Sequence, residues 1–377
     1  MNSMAPMIES LHVRGFRSLA DVNLTDLTSA TVLIGANGSG KSNILRFLHL
    51  LHYMLAQRRL ARLVEQYGGA SDQLFDGSDA TDQIQAEITL KSGRTRYDYR
   101  FTLEYAYPDR LIFGEEAFRH RAGKGYENTK WHDLGSAHRE ANLVLAAQSN
   151  EFSHLDKTAA AAIVRVLRQC IVFQFHNTDY RSAIRRGARL KSGGKLKFDA
   201  GNLAAVLYRM ELEDLKRYER ICRYIQRILP GFDQFDLVEH EGKVALRWLS
   251  DWSDYGIGAH LTSDGSLRTF ALVTLLNSTP EMLPDVVLLD EPELGLHPAA
   301  VTLIGSMIQS LALQKQVIVA TQSPLLVDLF SLEQTRILEL RHGRTEIREV
   351  EPAEYAQWLN DYSTGELWQR NLLGGRP

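Results

Sequence analysis

The chain has 377 residues, of which 44% are hydrophobic and 24% charged, and its formal net charge is -3 at pH 7. This composition excludes a disordered or fibrous protein and a uniformly basic nucleic-acid binder, and the length suits two or three domains or one domain with an insertion. No apolar stretch approaches the roughly 20 residues of a membrane-spanning helix, and the first seven residues do not resemble a signal peptide, so we expect a cytoplasmic protein with no membrane partner.

Strand and helix patterns alternate in the first third of the chain. Residues 8–24 alternate as in a β-hairpin, and residues 31–34 form a continuous apolar run typical of a buried strand. Apolar residues then recur at helical spacing over residues 41–57, which predicts a helix with one buried face. A second hairpin is predicted over residues 84–103, and the polar residues 119–142 are predicted to form a loop.

Helical patterns are more frequent in the middle of the chain. Residues 157–168 and 203–228 show helical spacing, and a short strand is predicted over residues 170–175. A basic, glycine-containing loop is predicted over residues 181–197, and strand-like segments occupy residues 235–248.

Two short apolar runs near the end of the chain flank a segment of helical length. The runs cover residues 286–289 and 316–320, and the segment between them covers residues 299–313. This order predicts a parallel βαβ unit and therefore a mixed α/β fold.

The sequence GANGSGKS at residues 35–42 matches the phosphate-binding pattern GxxxxGK[ST] and lies between a predicted strand and a predicted helix, as that pattern requires. Glycines let backbone N–H groups approach phosphate oxygens, Lys41 would neutralise the β- and γ-phosphates, and Ser42 would bind Mg²⁺. The predicted nucleotide-binding residues are Asn37, Gly38, Ser39, Gly40, Lys41, Ser42 and Asn43.

The apolar run at residues 286–289 leads directly into two carboxylates. Asp290 would reach the Mg²⁺ shell, and Glu291 would polarise an attacking water as a general base. Because acidic pairs at strand ends are common, this assignment depends on the phosphate-binding sequence that precedes it.

Two polar turns follow apolar or strand-like segments. LTSDGSLR at residues 261–268 taken alone is a capped helix start, and ATQS at residues 320–323 is a turn at a strand end. The position of the first turn just ahead of Asp290 and Glu291 favours a functional role over a simple helix cap, and the second turn places Gln322 where it could contact a γ-phosphate.

In this order the motifs resemble ATP-binding-cassette (ABC) ATPases of the RecF/SMC branch, a family of head domains in DNA repair and chromosome maintenance. Within that branch the chain is similar to stand-alone AAA-family ATPases, relatives of the ATPase halves of OLD-type nucleases and phage-defence systems. The similarity begins at LHVRGFRSL (residues 11–19), includes SDGS (263–266) as the signature and DEPELGLHP (290–298), and reaches GELW (365–368) and LGGRP (373–377).

The resemblance implies an α/β fold, a P-loop ABC-type ATPase head with a mixed sheet and an inserted helical lobe. We expect a nucleotide-binding lobe over residues 1–150, an inserted helical lobe with the basic loop over 151–261, the rest of the nucleotide-binding lobe over 262–350, and a C-terminal tail over 351–377.

The resemblance also implies that two heads sandwich two ATP molecules, with Ser263 and Gly265 of one subunit acting in trans on ATP held by the other. Gln174 would link Mg²⁺ and water to the helical lobe. Gln322 and His297 occupy positions where transporter cassettes carry His and Asp, which argues against a transporter subunit and is consistent with slow turnover. The implied catalytic residues are Glu291, Lys41 and Gln322, and the implied metal ligands are Ser42, Asp290 and Gln174.

Two segment lengths limit the alternatives. The 219 residues from 43 to 261, between the phosphate-binding sequence and the signature, contain no heptads, so no long SMC coiled coil is expected. The 54 residues after Ser323 are too few for the Toprim nuclease domain of OLD-type enzymes.

Residues 180–198 carry seven basic side chains and no acidic one. Such a cluster binds nucleic-acid phosphates or is simply a solvated loop, and the sparse aromatic residues leave both interpretations open. The nucleic-acid candidates are Arg185, Arg186, Arg189 and Lys191.

These observations predict an ATPase that dimerises on ATP and is coupled to DNA in repair or phage defence. A slow ATP-gated sensor that recruits a separate effector protein is the alternative, and an ABC transporter ATPase subunit is a weaker one.

Overall fold

The computed structural model describes residues 6–57, 59–121, 130–348 and 350–375. Residues 122–129 of the predicted polar loop, and Arg376 and Pro377 of the tail motif, lie outside this part of the chain. The α-helices of the described part are α1 (Lys41–His52), α2 (Leu60–Gln66), α3 (Leu143–Ala146), α4 (His154–Leu167), α5 (Leu203–Glu213), α6 (Leu215–Ile228), α7 (Asp264–Leu276), α8 (Pro298–Ala312), α9 (Pro324–Val327) and α10 (Thr364–Gln369).

The strands of the described part follow in chain order. They are β1 (Met7–Phe16), β2 (Leu19–Leu24), β3 (Ala30–Ile34), β4 (Gln83–Ser92), β5 (Thr95–Ala106), β6 (Arg110–Arg121), β7 (His132–Asp133), β8 (Ile171–Phe173), β9 (Ala188–Arg189), β10 (Phe232–Phe235), β11 (Glu239–His240), β12 (Lys243–Val244), β13 (Arg247–Ser250), β14 (Ser253–Gly258), β15 (Val286–Asp290), β16 (Gln316–Thr321), β17 (Thr335–Arg341) and β18 (Arg344–Arg348).

The chain divides into two compact units. The first comprises Met1–Ile171, Pro284–Leu288 and Gln314–Pro377, and the second comprises Val172–Leu283 and Leu289–Leu313. This division differs from the four segments expected from the sequence, because α4 packs on β5 and β6 in the first unit whereas α7 packs on α6 in the second.

An antiparallel sheet in the first unit has the strand order β2-β1-β4-β5-β6-β7. The predicted hairpins are confirmed, and β4 pairs with β5 so that Ile88 lies opposite Tyr99, both fully buried. The loop predicted from residue 119 was wrong at its start, since β6 continues to Arg121. This polar strand end is stabilised because Arg119 Nε and Arg121 Nη2 each lie 2.6 Å from an oxygen of buried Asp98.

The mixed sheet has the strand order β18-β17-β3-β16-β15-β8. Strand β3 is parallel to β16 on one side and to β17 on the other, and β17 pairs antiparallel with β18. The predicted strands at residues 31–34, 286–289 and 316–320 and the helix at residues 299–313 are confirmed as β3, β15, β16 and α8. In β3 and β16 every residue is buried, which explains their continuous apolar sequences.

The second unit packs helices around aromatic side chains. Phe232, Phe235 and Trp248 surround Phe270 of α7, with ring centroids 5.1–6.2 Å from it. The helical pattern over residues 203–228 is confirmed but interrupted at Asp214, whose side chain accepts a hydrogen bond from the Arg217 backbone and so begins α6.

Asp285 anchors the start of β15 in the first unit. Arg165 Nε donates to Asp285 Oδ2 at 2.9 Å, Lys315 Nζ donates to Oδ1 at 3.0 Å, and the Asp285 backbone N–H donates to Gln169 Oε1. Burial raises the pKa of Asp285, whereas the hydrogen bonds from Arg165 and Lys315 lower it. The lowering outweighs the effect of burial, so the pKa of Asp285 lies below its usual value.

We expect Asp285→Asn to lower the free energy of unfolding by about 2 kcal/mol at neutral pH, because Lys315 and Arg165 lose a buried carboxylate. Since the folded-state pKa of Asp285 is depressed, its stabilisation is complete above the unfolded-state pKa and is lost as pH falls through the folded value. Urea unfolding across this range should show the difference between variant and wild type shrinking in acid, whereas exposed Asp361→Asn should show little difference. A difference that persists in acid would contradict this assignment.

Candidate functional site

The phosphate loop, residues 35–42, connects β3 to α1 in the first unit. Gly40 is the N-cap of α1 and has φ 101°, and a Cβ added to it would lie 2.8 Å from Thr345 Cγ2. Gly38 has φ 80° with open space around a built Cβ, so its requirement is conformational. The loop therefore needs glycine at these two positions for different reasons.

Polar groups of the phosphate loop point inward. Lys41, only 5% exposed, donates from Nζ to the carbonyls of Gly35 at 2.7 Å and Ala36 at 2.8 Å. Ser39 is buried, and its Oγ has no hydrogen-bond partner in the described part of the chain. None of the side chains that the structure describes caps the N-terminus of α1, so its positive end is available to an anion. These features suit a phosphate group, which supplies acceptors for the ammonium, the hydroxyl and the loop N–H groups.

Asn43 joins the phosphate loop to the first hairpin. Its Nδ2 donates to Ser18 Oγ at 2.8 Å, and Ser18 Oγ lies 2.7 Å from Thr345 Oγ1. The segment at residues 11–19 is thereby connected to the start of α1. Asn43 thus has a structural role within the protein, and its predicted contact with nucleotide stays a prediction.

The turn after β16 lies beside the phosphate loop. Thr321 at the end of β16 is the parallel partner of Ile34 at the end of β3. Ser323 caps α9 by accepting from the Leu326 backbone, and Gln322 stands just before it. A cleft of about 470 Å³ occupies this region and is lined by Gly35, Ala36, Asn37, Gln322, Pro324, Trp368 and Gln369.

The C-terminal tail is part of this site, although the sequence had suggested no role for it. The Ala36 backbone N–H donates to Gly375 O at 2.9 Å, and the Gly375 N–H donates to Glu339 Oε1 at 2.8 Å. Burial raises the pKa of Glu339, whereas hydrogen bonds from Gly375 and Arg341 lower it, and the net pKa is below normal. An ionised Glu339 therefore holds the tail against the phosphate loop.

Two expected metal ligands meet in the second unit. Gln174 Nε2 donates to Asp290 Oδ2 at 2.9 Å, and Asp290 is 7% exposed. The third expected ligand, Ser42, belongs to the first unit. Within the described ranges no group of three His, Cys, Asp or Glu residues is arranged to hold a metal.

Glu291 has an unusual backbone. Its φ is 45°, in the left-handed region that a side chain with a Cβ rarely adopts. The following turn is closed by hydrogen bonds from the backbones of Leu294 and Leu296 to Glu291 O and Glu293 O. His297 accepts from the Ala299 backbone as the N-cap of α8, which accounts structurally for the histidine that departs from the transporter pattern.

The signature turn, residues 263–266, begins α7. Ser263 Oγ accepts from the Ser266 backbone at 3.1 Å, which is the helix cap anticipated from the sequence. Gly265 faces Gly295, and an added Cβ would lie 3.5 Å from Gly295 O. The predicted trans role of Ser263 and Gly265 stays a prediction.

The four candidate nucleic-acid-binding residues differ in their exposure to solvent. Arg186, Arg189 and Lys191 are exposed. The Arg185 side chain is 11% exposed and donates from Nη2 to Asp264 Oδ1 at 2.7 Å. Hydrogen bonds from Thr178 and Arg185 lower the pKa of Asp264, so this carboxylate stays ionised beside the signature turn.

A buried strand, a glycine loop and a helix, with a second strand of the same mixed sheet ending at Asp290, define a P-loop ATPase of the ABC head type. A family model described as "AAA domain, putative AbiEii toxin, Type IV TA system" matches residues 30–328. The chain belongs to this AAA family and lies in the RecF/SMC-like branch of ABC ATPases. The fold class expected from the sequence is therefore confirmed.

The similar curated proteins are matched over only part of their length. The DNA replication and repair protein RecF of Anaeromyxobacter dehalogenans (strain 2CP-1 / ATCC BAA-258) is 40% identical over 92 residues, 23% of this chain and 24% of RecF. RecF of Myxococcus xanthus (strain DK1622) is 44% identical over 86 residues, 22% of each chain. The chain thus spans about a quarter of the length of these relatives.

Solved SMC heads share the fold across nearly the whole chain. An Smc head domain with an extended coiled coil, bound to the C-terminal domain of ScpA and derived from Pyrococcus furiosus, has a TM-score of 0.58 at 14% identity, covering 94% of this chain and 99% of that one. An SmcHead bound to the C-winged helix domain of ScpA has a TM-score of 0.54 at 14% identity, covering 93% and 99%. None of the described helices is long and apolar enough to cross a membrane.

We expect Gly40→Ala to raise the Kd for a fluorescent ATP analogue about tenfold, or about 1.4 kcal/mol, because the methyl group collides with Thr345 and φ 101° is unfavourable for alanine. Gly93→Ala is the matched control, since Gly93 has φ 58° but no atom within 4 Å of an added Cβ. It should lose stability without losing affinity. Equal affinities of the Gly40→Ala variant and the wild type would disprove this account of the loop.

Proposed function

We propose that the protein binds and hydrolyses ATP with Mg²⁺ and that ATP closes a homodimer coupled to DNA. The observation that carries this proposal is the phosphate loop, in which buried Lys41 and the Ser39 hydroxyl, unpartnered among the described residues, line a glycine cradle at the start of α1. Membership in the RecF/SMC-like ATPase branch supports the same activity.

Each step of hydrolysis has a candidate residue. Lys41 would exchange its two loop carbonyls for the β- and γ-phosphates, and the loop N–H groups would orient them. Mg²⁺ bound by Ser42, Asp290 and Gln174 would supply positive charge to neutralise phosphate oxygens. Glu291 would accept the proton of the attacking water, and Gln322 would orient that water or the γ-phosphate through its amide.

A second copy of the chain would complete the site. Ser263 and Gly265 would reach the γ-phosphate held by the partner subunit. Two large apolar side chains are exposed here: Leu261, two residues before Ser263, by 62%, and Leu294, the neighbour of Gly295 that faces Gly265, by 40%. Large exposed apolar side chains favour burial against a partner surface, which supports dimerisation through this face.

We expect Glu291→Gln to accumulate as an ATP-bound dimer, because ATP still binds while proton abstraction from water is lost. Light scattering after size exclusion should show twice the monomer mass with ATP and the monomer mass without it. Lys41→Ala is the control that should remain monomeric, since its loop cannot hold the phosphates. A Glu291→Gln variant that stays monomeric with saturating ATP would refute ATP-driven dimerisation.

A slow ATP-gated sensor is the alternative that Gln322 favours. A side-chain carboxamide does not titrate near neutral pH, so Gln322 can orient groups but cannot act as a general acid or base. In that case ATP would dimerise the wild type as readily as the Glu291→Gln variant, and the dimer would recruit a separate effector protein. Equal dimer lifetimes in the two proteins would support the sensor.

The coupling to DNA in repair or phage defence is proposed from exposed basic residues and from the partial match to RecF. We expect the triple variant Arg186→Glu, Arg189→Glu, Lys191→Glu to bind duplex DNA more weakly and to show a smaller slope of log affinity against log salt, because fewer counterions are released. Arg139→Glu, another exposed reversal, is the control. Unchanged affinity and salt slope in the triple variant would exclude this surface.

A further inference from the structure

We infer that Arg185 is a positioning residue, which couples the metal-site glutamine Gln174 to the signature turn of the same subunit. This inference rests on the proposed function, since it concerns how ATP binding changes the surface that would contact a second copy of the chain. The inferred role of Arg185 differs from that of the exposed basic residues in the same segment, which are proposed to contact DNA.

The Arg185 guanidinium is surrounded by acceptors from two chain segments. Its Nε donates to Thr178 O at 2.6 Å, while Nη1 donates to Thr262 O at 3.0 Å and also to Ala259 O. Its Nη2 donates to Asp264 Oδ1 at 2.7 Å. A planar group with five N–H donors can satisfy all four acceptors at once, which no other side chain can do.

The four acceptors of Arg185 lie next to the two parts of the chain that it would couple, the signature turn and the segment after Gln174. Ala259, Thr262 and Asp264 flank Ser263, whose hydroxyl caps α7. Thr178 belongs to the segment that begins at Gln174, and it is 4% exposed. Arg185 therefore holds the segment after Gln174 against the start of the signature helix.

The other end of the segment is held at the metal site. Gln174 donates to Asp290 at 2.9 Å, and two residues later His176 O accepts from Arg268 Nη2 at 3.1 Å. Arg268 belongs to α7, and its Nη1 would lie 3.5 Å from a Cβ added to Gly295. The segment from Gln174 to Arg185 thus contacts Asp290 at one end and α7 at the other.

This arrangement has a mechanical consequence. A ligand that pulls the Gln174 amide away from Asp290 moves a segment whose carbonyls are bonded to Arg185 and Arg268. Because the Arg185 side chain also binds both sides of Ser263, such a movement shifts the signature turn. Arg186, by contrast, is exposed and donates only to the nearby Arg181 carbonyl among the described contacts.

The test compares Arg185→Ala, Arg185→Lys and, as a control, Arg220→Ala, which removes an exposed arginine of α6, in the whole chain. Affinity for a fluorescent ATP analogue should be unchanged within about twofold in all three, because the phosphate loop is intact. In Arg185→Ala, kcat should fall about tenfold with little change in KM, whereas Arg220→Ala should match wild type. Arg185→Lys should recover only part of kcat, since one ammonium cannot replace the planar fork.

Hydrogen exchange, measured at a protein concentration at which light scattering shows only monomer, reports on the signature turn within one subunit. Adding Mg²⁺ and ATP to wild type should slow exchange of the amides at residues 263–267 about fivefold, and this response should vanish in Arg185→Ala. An Arg185→Ala protein with wild-type kcat and an intact exchange response would overturn the inference. An equal loss of the exchange response in Arg185→Ala and in Arg220→Ala would also overturn it, because the loss would then not depend on the contacts of Arg185.

Glu291→Gln separates the two levels of proposal. If Glu291→Gln does not dimerise with ATP while Arg185 is intact, the proposed function fails. If it dimerises and the double variant Glu291→Gln, Arg185→Ala dimerises equally well, only the role of Arg185 fails. Loss of the dimer in the double variant, with nucleotide affinity retained, is the expected result.

Discussion

The parallel pairing of β3 with β16 is the constraint on which the nucleotide site depends. Ile34 and Thr321 are partners at the carboxyl ends of two fully buried strands, so the chain must leave the sheet at the same edge after both. The phosphate loop and Gln322 are brought together by that register alone. The Gly375 carbonyl then bonds to the Ala36 N–H at this edge, so the tail depends on the same pairing.

Several side chains at the site have a structural role and a proposed chemical role together. Ser263 caps α7, and Asn43 bonds to Ser18, yet both lie where the family motif expects contact with nucleotide. Lys41 is similar, because it closes the phosphate loop through two carbonyls. A polar group that is already satisfied within the protein keeps the empty loop folded and lowers the reorganisation needed when phosphate replaces those partners.

The sequence predicted the elements whose signal is local. Alternation gave the β4–β5 hairpin, and the glycine pattern gave the phosphate loop between a strand and a helix. Features that depend on distant partners were not predictable: β6 extends to Arg121 because Asp98 on a neighbouring strand is buried, and Ala36 bonds to Gly375 from the far end of the chain. Arg185 looked like one more member of a basic run, since nothing nearby in the sequence marks its bonds to Asp264 and the carbonyls around it.

The left-handed backbone of Glu291 implies a conflict between folding and function at one position. Glycine adopts φ 45° readily, whereas a residue with a Cβ is disfavoured there by about 1 kcal/mol. If selection acted on folding alone, position 291 would drift towards glycine, and the folded state would become more stable as the carboxylate disappeared. Keeping glutamate there is a stability–activity trade-off, so screens that enrich thermostable variants of this protein would select against the proposed general base.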